Sequence, residues 1–314
     1  MTMLDRRKVM GWVATVAAFV VFGGCIELPS ESKIEGFRVL GLSAEPPEIA
    51  PGQGTRMEIL WADPEGEGRT VTFAWMGCTG YIHSSEGLGT CDMIVPPIVR
   101  TAEEGGAVLD IPSTPENILD DAPEGTDWIK ATFIVLMCAG GELPAADEYA
   151  SHREVSNVNT LCDGGEGISI YKTVTVSEAE DPQRNPVIDY IAVDGDRLEP
   201  GPDGAPFAVR CTKNDKCGAE VELSAFFTED SLQSYEIIEF DKPKTVDERL
   251  SISWFVTGGD MEMPSVGLVG DDRVGPYDNV WKPEEPGAFT LYAVAHDDRG
   301  GASWRAYAFE VLSK

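Results

Sequence analysis

Positive charge is scarce in this chain. Lysine and arginine number 24 against 54 aspartates and glutamates, so the net charge is −30 over 314 residues. Beyond residue 24 no basic cluster interrupts this negative field, which repels nucleic acid and anionic lipid headgroups. The composition therefore predicts no nucleic-acid partner.

Histidine is scarcer still, and the usual motifs of catalysis are missing. The three histidines, His83, His152 and His296, lie far apart, and neither a CxxC pair nor a GxSxG elbow occurs. A zinc site and a serine or cysteine hydrolase lack their signatures, so we expect the histidines to be surface residues. A carboxylate-dependent hydrolase stays open as the least favoured alternative, because the chain is rich in carboxylates and their separation in space is invisible in sequence. We predict a protein that is not an enzyme and has no cofactor.

The apolar run near the N-terminus is too short to span a membrane. A basic start at residues 6–8 precedes a mostly apolar run of 14 residues, Val9–Phe22. A spanning helix needs about 20 apolar residues, whereas this length and order are typical of a signal peptide. Removing residues 1–24 takes away three positive charges and one negative charge, which leaves a net charge of −32.

The end of this run resembles a bacterial lipobox. Gly23-Gly24-Cys25 carries the resemblance, with Phe22 where the motif usually has Leu or Val. The resemblance implies cleavage after residue 24, lipid such as palmitate on Cys25, and a tether over residues 25–33. Two or three acyl chains, at about 0.8 kcal/mol per buried CH₂, make a stable membrane anchor. Because Ile26 rather than Asp follows the cysteine, the sorting rule of such lipoproteins implies the outer membrane, on its periplasmic or surface face.

The export route stays open between two alternatives. Asp5–Met10 resembles the twin-arginine export motif, whose substrates cross the membrane already folded. The cysteine content favours the other route, because disulfides form after export.

Six cysteines remain once Cys25 is assigned to lipid. An even number in an oxidising compartment predicts three disulfides, although six cysteines allow 15 pairings. The candidates are Cys78, Cys91, Cys138, Cys162, Cys211 and Cys217.

The chain after residue 33 reads as one five-strand pattern written twice. Each copy opens with a strand and a turn, at Pro51-Gly52 and again at Pro200-Gly201. Apolar residues at every second position then predict strands with one wet face. The predicted strands lie at 37–42, 57–61, 71–75, 129–137 and 168–176 in the first copy, and at 187–192, 221–227, 252–256, 289–295 and 304–311 in the second.

The two copies resemble tandem bacterial immunoglobulin-like or PKD-like modules. The second copy carries the closer match, at Ser253-Trp254-Phe255, Pro286–Leu291 and Asp297–Gly301. Pro46–Gly52 is also similar to the start of uncharacterised bacterial lipoproteins. The resemblance implies an all-β fold of two tandem immunoglobulin-like β-sandwiches, with Trp254 buried between the sheets of the second.

The same resemblance gives domain bounds. One sandwich with insertions is expected over residues 34–178 and the other over residues 186–314. A linker at 179–185, rich in acidic residues and proline, is expected to be the only connection between them.

The immunoglobulin-like strand order, if it holds, also restricts the disulfides. Cys78 and Cys138 would lie at opposite ends of the first sandwich, beyond the Cα separation of about 7 Å that a disulfide can bridge. Local pairs are then favoured, Cys78 with Cys91 and Cys138 with Cys162. The remaining pair, Cys211 with Cys217, would close a short loop.

Two loop regions are candidates for binding. The insertion Ala139–Glu166, closed by a disulfide, is the best candidate partner surface because loops on a rigid scaffold carry recognition. Acidic loops of β modules can also supply calcium ligands, although no EF-hand loop occurs and acidic runs are usually solvated. The weak calcium candidates are Asp271, Asp272, Asp297 and Asp298.

These features together favour a membrane-anchored, exported, non-enzymatic binding or adhesion module. Its protein or glycan partner is not specified by the sequence. The alternative is a structural subunit of a cell-envelope assembly. An apolar patch at one end of a sandwich would favour binding, and long unpaired edge strands would favour assembly.

Overall fold

Strands make up most of the chain in the computed structural model, and no α-helix occurs among the residues it describes. Those residues are 31–66, 68–79, 92–102, 106–122, 127–145, 161–198, 205–213, 216–239, 242–267 and 274–314, with the backbone alone described at 92–97, 121, 238 and 239. Within this part of the chain, no helix is long and apolar enough to cross a membrane.

Among the described residues, eight strands belong to the first copy of the repeat. They are β1 (Arg38–Glu45), β2 (Glu48–Ile49), β3 (Thr55–Ala62), β4 (Val71–Thr79), β5 (Asp92–Ala102), β6 (Gly106–Ile111), β7 (Trp128–Ala139) and β8 (Glu166–Ser177). They form two sheets, of order β1-β3-β6 and β2-β8-β7-β4-β5.

The second copy contains twelve strands among the described residues. They are β9 (Ile188–Val193), β10 (Asp196–Leu198), β11 (Phe207–Arg210), β12 (Val221–Phe227), β13 (Ser234–Glu239), β14 (Lys242–Asp247), β15 (Ser251–Val256), β16 (Asp260–Met261), β17 (Ser265–Gly267), β18 (Tyr277–Lys282), β19 (Gly287–His296) and β20 (Ala302–Leu312). Ten of them form sheets of order β10-β9-β12-β18-β16 and β11-β20-β19-β15-β17, and β13 and β14 form a separate hairpin.

The two copies share one topology. The order β1-β3-β6 corresponds to β9-β12-β18, and β2-β8-β7-β4-β5 corresponds to β11-β20-β19-β15-β17. In each copy a short strand, β2 or β11, pairs in parallel with the last long strand, β8 or β20. All ten strands predicted from the repeat are present, so the all-β fold of two sandwiches is confirmed.

The core of the second sandwich follows from period-two alternation. In β12 the residues Val221, Leu223, Ala225 and Phe227 are buried, whereas Glu222 is exposed. Alternation of this kind buries one face of a sheet against the other sheet of a sandwich. Trp254 of β15 is fully buried in this core, which confirms the expectation that it lies between the two sheets.

The first sandwich has apolar residues on both faces of its central strand. The whole run Ala131–Ala139 of β7 is buried, with odd-numbered residues facing the core between the two sheets. The even-numbered Ile134 and Leu136 pack on the other face with Ala74 and Met76 of β4. The sequence did not predict this second apolar layer, because an ordinary sandwich exposes that face to water.

Candidate functional site

The two copies pack directly against each other. Leu40 of β1 and Leu60 of β3 are buried in one apolar cluster with Val294 of β19. Phe255, Tyr292 and Trp304 of the second copy pack against the same cluster. The expectation that only a linker connects the copies is therefore wrong. The physical reason is that β3 alternates, so Leu60 and Ala62 form a second apolar face while Met57, Ile59 and Trp61 fill the first sandwich.

A glycine permits the closest approach at this interface. The pairing of β1 with β3 shifts register between Val39 and Gly41, as at a β-bulge. A Cβ atom at Gly41 would lie 3.0 Å from Cε3 of Trp304. The indole therefore lies close to bare backbone of the other copy, and a side chain at position 41 would crowd it.

The segment expected to be a linker is hydrogen-bonded to both copies. Asn185 donates from Nδ2 to the carbonyl oxygen of Ala44 at 2.7 Å, and its Oδ1 accepts from the amide of Ala302 at 3.0 Å. Gln183 donates from its backbone to the buried carboxylate of Glu48 at 2.6 Å and from Nε2 to Asp297 at 3.0 Å. Asn185 and Gln183 each have one hydrogen-bond partner in the first copy and one in the second. These bonds therefore fix the relative position of the two copies.

A buried lysine lies at the same junction. Lys172 of β8 is buried and donates from Nζ to the carbonyl oxygen of Gly300 in the second copy. Burial lowers the pKa of Lys172 to about 8, and nearby Asp297 opposes that shift only in part. Burial also lowers the pKa of His296, with a further contribution from the charge of Lys172. The junction therefore holds two basic groups whose charged forms are disfavoured by desolvation.

The cleft between the copies is the concave surface that this junction creates, and we call it the junction cleft. Its volume is about 410 Å³. It is lined by Ser43, Glu45, Glu58, Arg184, Asn185, Val187, Asp230, Ala302, Ser303 and Trp304. Concave sites that combine apolar surface with a few polar groups are the usual places for ligands to bind.

The junction cleft combines an apolar floor with charges of both signs. Trp304 supplies a half-buried indole, and Val187 is 46% exposed. Glu45 accepts a hydrogen bond from Asn185 Nδ2 at 2.7 Å, and Arg184 is paired with Asp181 only at 3.5 Å on the surface. Surface ion pairs of this kind are weak, so the guanidinium is available to a ligand.

Two of the predicted disulfides join cysteines that are both among the described residues. Cys138 is bonded to Cys162, and Cys211 to Cys217. Cys78 is also disulfide-bonded. Cys91 and the lipidation candidate Cys25 lie outside the described residues.

The acidic calcium candidates that can be located have other partners. Asp297 accepts hydrogen bonds from the amides of Arg299 and Gly301, at 2.9 and 2.7 Å, so it holds the loop that follows β19. Asp298 accepts from the hydroxyl of Tyr235 at 3.3 Å. Asp271 and Asp272 lie outside the described residues. Across the described part of the chain, no group of three or more potential ligand residues could hold a metal ion.

One of the three histidines and the two ends of the candidate insertion lie among the described residues. His296 ends β19 and is half-buried beside Lys172, because that end of the strand packs at the junction. His83 and His152 lie outside the described residues. The two ends of the insertion at 139–166 meet where Glu142 pairs with Asp163, and residues 146–160 are outside the described part.

Comparisons with known proteins give no family. No protein-family model matches the chain, and no curated protein matches it either. A similar solved structure is the crystal structure of red sea bream transglutaminase, with 9% sequence identity and a TM-score of 0.25. The match covers 90% of this chain and 32% of that one, so the chain spans about a third of the length of the transglutaminase. A likeness at this level carries no argument about activity.

Proposed function

We propose that the chain is an exported, lipid-anchored, non-enzymatic binding module. In this proposal Cys25 carries the lipid that holds the chain on the outer membrane. The junction cleft receives a protein or glycan partner. The observation that carries the proposal is the fixed junction of two disulfide-bonded sandwiches, with a mixed apolar and polar cleft between them.

Disulfides support the exported part of the proposal. Disulfides persist in oxidising compartments and are rare where thiols are kept reduced. The bonds Cys138 with Cys162 and Cys211 with Cys217 each close a loop of the mature chain. They agree with export through the signal peptide expected at residues 1–24.

Rigidity supports the binding part. Flexible tandem domains lose conformational entropy when a ligand bridges them, and a preformed site avoids most of that cost. Here the cleft walls come from both copies and from residues 184–187 between them. The hydrogen bonds of Asn185 to Ala44 and Ala302 attach these residues to each copy. The cleft is therefore already in one arrangement before a partner arrives.

The anchor is tested by metabolic labelling with a radioactive fatty acid. The wild-type chain should take up label and remain with the membrane fraction, and Cys25→Ser should do neither. A wild-type chain without label would remove the anchor from the proposal.

The binding site is tested by crosslinking in intact cells followed by capture of the full chain. Val187→Glu places a charge in the junction cleft and leaves the backbone bond from Val187 to Ser231 available. Met263→Glu is the matched control, because Met263 is similarly exposed, at 43%, and does not line the cleft. The captured partner should be lost only with Val187→Glu, and protease digestion then separates a protein partner from a glycan. Equal capture by both variants would mean that the cleft is not the site.

A structural role in an envelope assembly is the second candidate, and one observation favours it. The hairpin β13–β14 pairs with no further strand among the described residues. Unpaired edges of this kind can add strands from other chains. Strand β14 contains Pro243 and two lysines, Lys242 and Lys244. Proline and lysine on an edge strand discourage pairing with other chains. We therefore place this candidate second.

A further inference from the structure

The junction cleft contains a buried hydroxyl group that the fold does not use. Ser43 of β1 is only 6% exposed and lines the cleft, directly opposite Glu58 in the pairing of β1 with β3. Within the described part of the chain, the hydroxyl of Ser43 forms no hydrogen bond. Burying a polar group costs free energy unless the group is hydrogen-bonded, so this hydroxyl indicates a polar contact made by a ligand.

An aromatic ring borders the same cleft. Trp304 of β20 is half-buried, and the edge of its indole lies close to Gly41 of the first copy. The cleft borders the rest of the ring, which is available to a ligand. The face of an indole attracts cations, and tryptophan is the best of the aromatic residues for this contact.

The charges around the cleft do not cancel. Three carboxylates and one guanidinium group line it, those of Glu45, Glu58, Asp230 and Arg184. Two further charges lie beside these, with Asp181 at 3.5 Å from Arg184 and Arg56 at 3.4 Å from Glu58. Four carboxylates therefore stand against two guanidinium groups, which gives the cleft and its border a net charge of −2.

This charge selects among the possible ligands. An anionic ligand is repelled both by the cleft and by the net charge of −30 of the whole chain, and a neutral glycan gains nothing from either. A cation is attracted by both, and it gains most where the local and overall fields agree. The cleft volume of about 410 Å³ is near the lower end for small-ligand sites, so it suits a side chain better than a large oligosaccharide.

Among cationic side chains, arginine fits these groups better than lysine. Its planar guanidinium can stack on the indole of Trp304 while its N–H groups form paired hydrogen bonds with a carboxylate. It also has five donors, enough to reach the hydroxyl of Ser43 as well. The lysine ammonium is a compact, strongly hydrated charge, and it makes neither the stacked nor the paired contact.

We propose that the junction cleft binds an exposed arginine side chain of a partner protein, with the guanidinium on the Trp304 indole and paired with the carboxylates of the cleft. This inference rests on the function proposed above, because it names the chemistry of the partner that the same cleft receives. The −2 charge of the cleft then serves to choose the partner, and Arg184 is the one lining group that opposes it.

The test titrates short peptides into the purified chain from residue 25 onward with Cys25→Ser. The capped peptides read Gly-Val-Xaa-Val-Gly, where Xaa is arginine, lysine, citrulline or glutamate, and citrulline has the shape of arginine without its charge. The NMR signal of the Trp304 indole N–H reports binding and is assigned by its absence in Trp304→Phe. We expect a Kd of about 1 mM for the arginine peptide and affinity at least about tenfold lower for the citrulline peptide.

Two charge changes give opposite expectations. Asp230→Asn removes a carboxylate from the cleft and should weaken binding of the arginine peptide about two- to fivefold, the range for one exposed ion pair. Arg184→Gln removes the opposing charge and should strengthen binding by a similar factor. Glu310→Gln is the matched control, because Glu310 is exposed on β20 but lies about 20 Å along the strand from Trp304. It should leave the affinity unchanged.

Val187→Trp separates the failure of this inference from the failure of the proposed function. It fills the cleft as Val187→Glu does, but leaves its charge unchanged, so it should abolish both peptide binding and capture of the cellular partner. If capture is lost but the arginine peptide does not bind at about 10 mM, the inference is overturned and the proposed function stands. Equal binding of the citrulline or glutamate peptide, or weaker binding in Arg184→Gln, overturns it in the same way. If capture survives Val187→Trp, both are wrong.

Discussion

Lys172 of the first sandwich donates a hydrogen bond to the carbonyl oxygen of Gly300 in the second. A buried amine thus contributes to the contact between the copies. Its pKa is lowered by burial to about 8, from an ordinary value of 10.5. The bond therefore brings a cost in desolvation that changes with pH.

Replacing Lys172 by Met should reveal this cost. Between pH 8 and 10.5 the unfolded chain binds more protons at this lysine than the folded chain, so folded-state stability rises with pH over that window. The free energy of unfolding of the wild type, relative to Lys172→Met, should increase by up to about 3 kcal/mol across it. Urea titrations of both proteins at pH 7, 9 and 10 measure the difference. A difference that stays constant with pH would show that Lys172 is not desolvated.

Gly41→Val should loosen the contact between the copies. The new side chain meets the indole of Trp304, and overpacking of this kind costs about 1 to 3 kcal/mol. Gly36→Val is the matched control, because a Cβ atom at Gly36 meets nothing within 4 Å. Urea denaturation of both variants checks the expectation, and equal stabilities would contradict the close approach at position 41.

Trp254→Ala should be among the most destabilising single changes in the second sandwich. Trp254 is fully buried, and its indole N–H has no hydrogen-bond partner among the described residues. Deleting a buried aromatic ring costs about 3 to 5 kcal/mol. Trp128→Ala is the control, because Trp128 is 43% exposed and its loss should cost less than about 1 kcal/mol. Thermal unfolding followed by circular dichroism distinguishes the two variants.

The two described disulfides should differ in their effect on stability. Cys138 and Cys162 are 24 residues apart, whereas Cys211 and Cys217 are 6 apart. Closing the longer loop removes more entropy from the unfolded chain, so its removal by Cys-to-Ala changes should cost about 3 to 4 kcal/mol against about 2 to 3 for the shorter loop. Guanidinium titrations of the two double variants measure this order. The reverse order would mean that native contacts, not chain entropy, dominate.

The repeated strands could be predicted because their burial follows from local sequence. Val221, Leu223 and Ala225 alternate with polar or less apolar residues, and a strand is the conformation that separates such residues onto two faces. Strand β5 was missed for an equally local reason. It contains Pro96 and Pro97, and prolines argue against a strand. They are tolerated here because β5 lies at a sheet edge.

The junction could not be predicted, because its residues carry no special signal. Leu60 and Val294 are ordinary apolar residues of strands, and the sequence does not say which sheet faces meet across the two copies. A partial signal exists at the end of β3, where Leu60, Trp61 and Ala62 are consecutive and all buried. Apolar residues in both phases of a strand indicate that both faces are covered.

The continuous burial of β7 has a consequence before the chain is folded. Residues 131–139 read Ala-Thr-Phe-Ile-Val-Leu-Met-Cys-Ala, with no charge and no proline, and Cys138 needs Cys162 downstream to form its disulfide. Segments of this composition aggregate readily when they are exposed. A chain that crosses the membrane unfolded would present this run to other chains until residue 162 had followed it. The yield of folded chain on export should therefore depend on the time between the crossing of residues 131–139 and that of residue 162. It should also depend on chaperones that bind the exposed run.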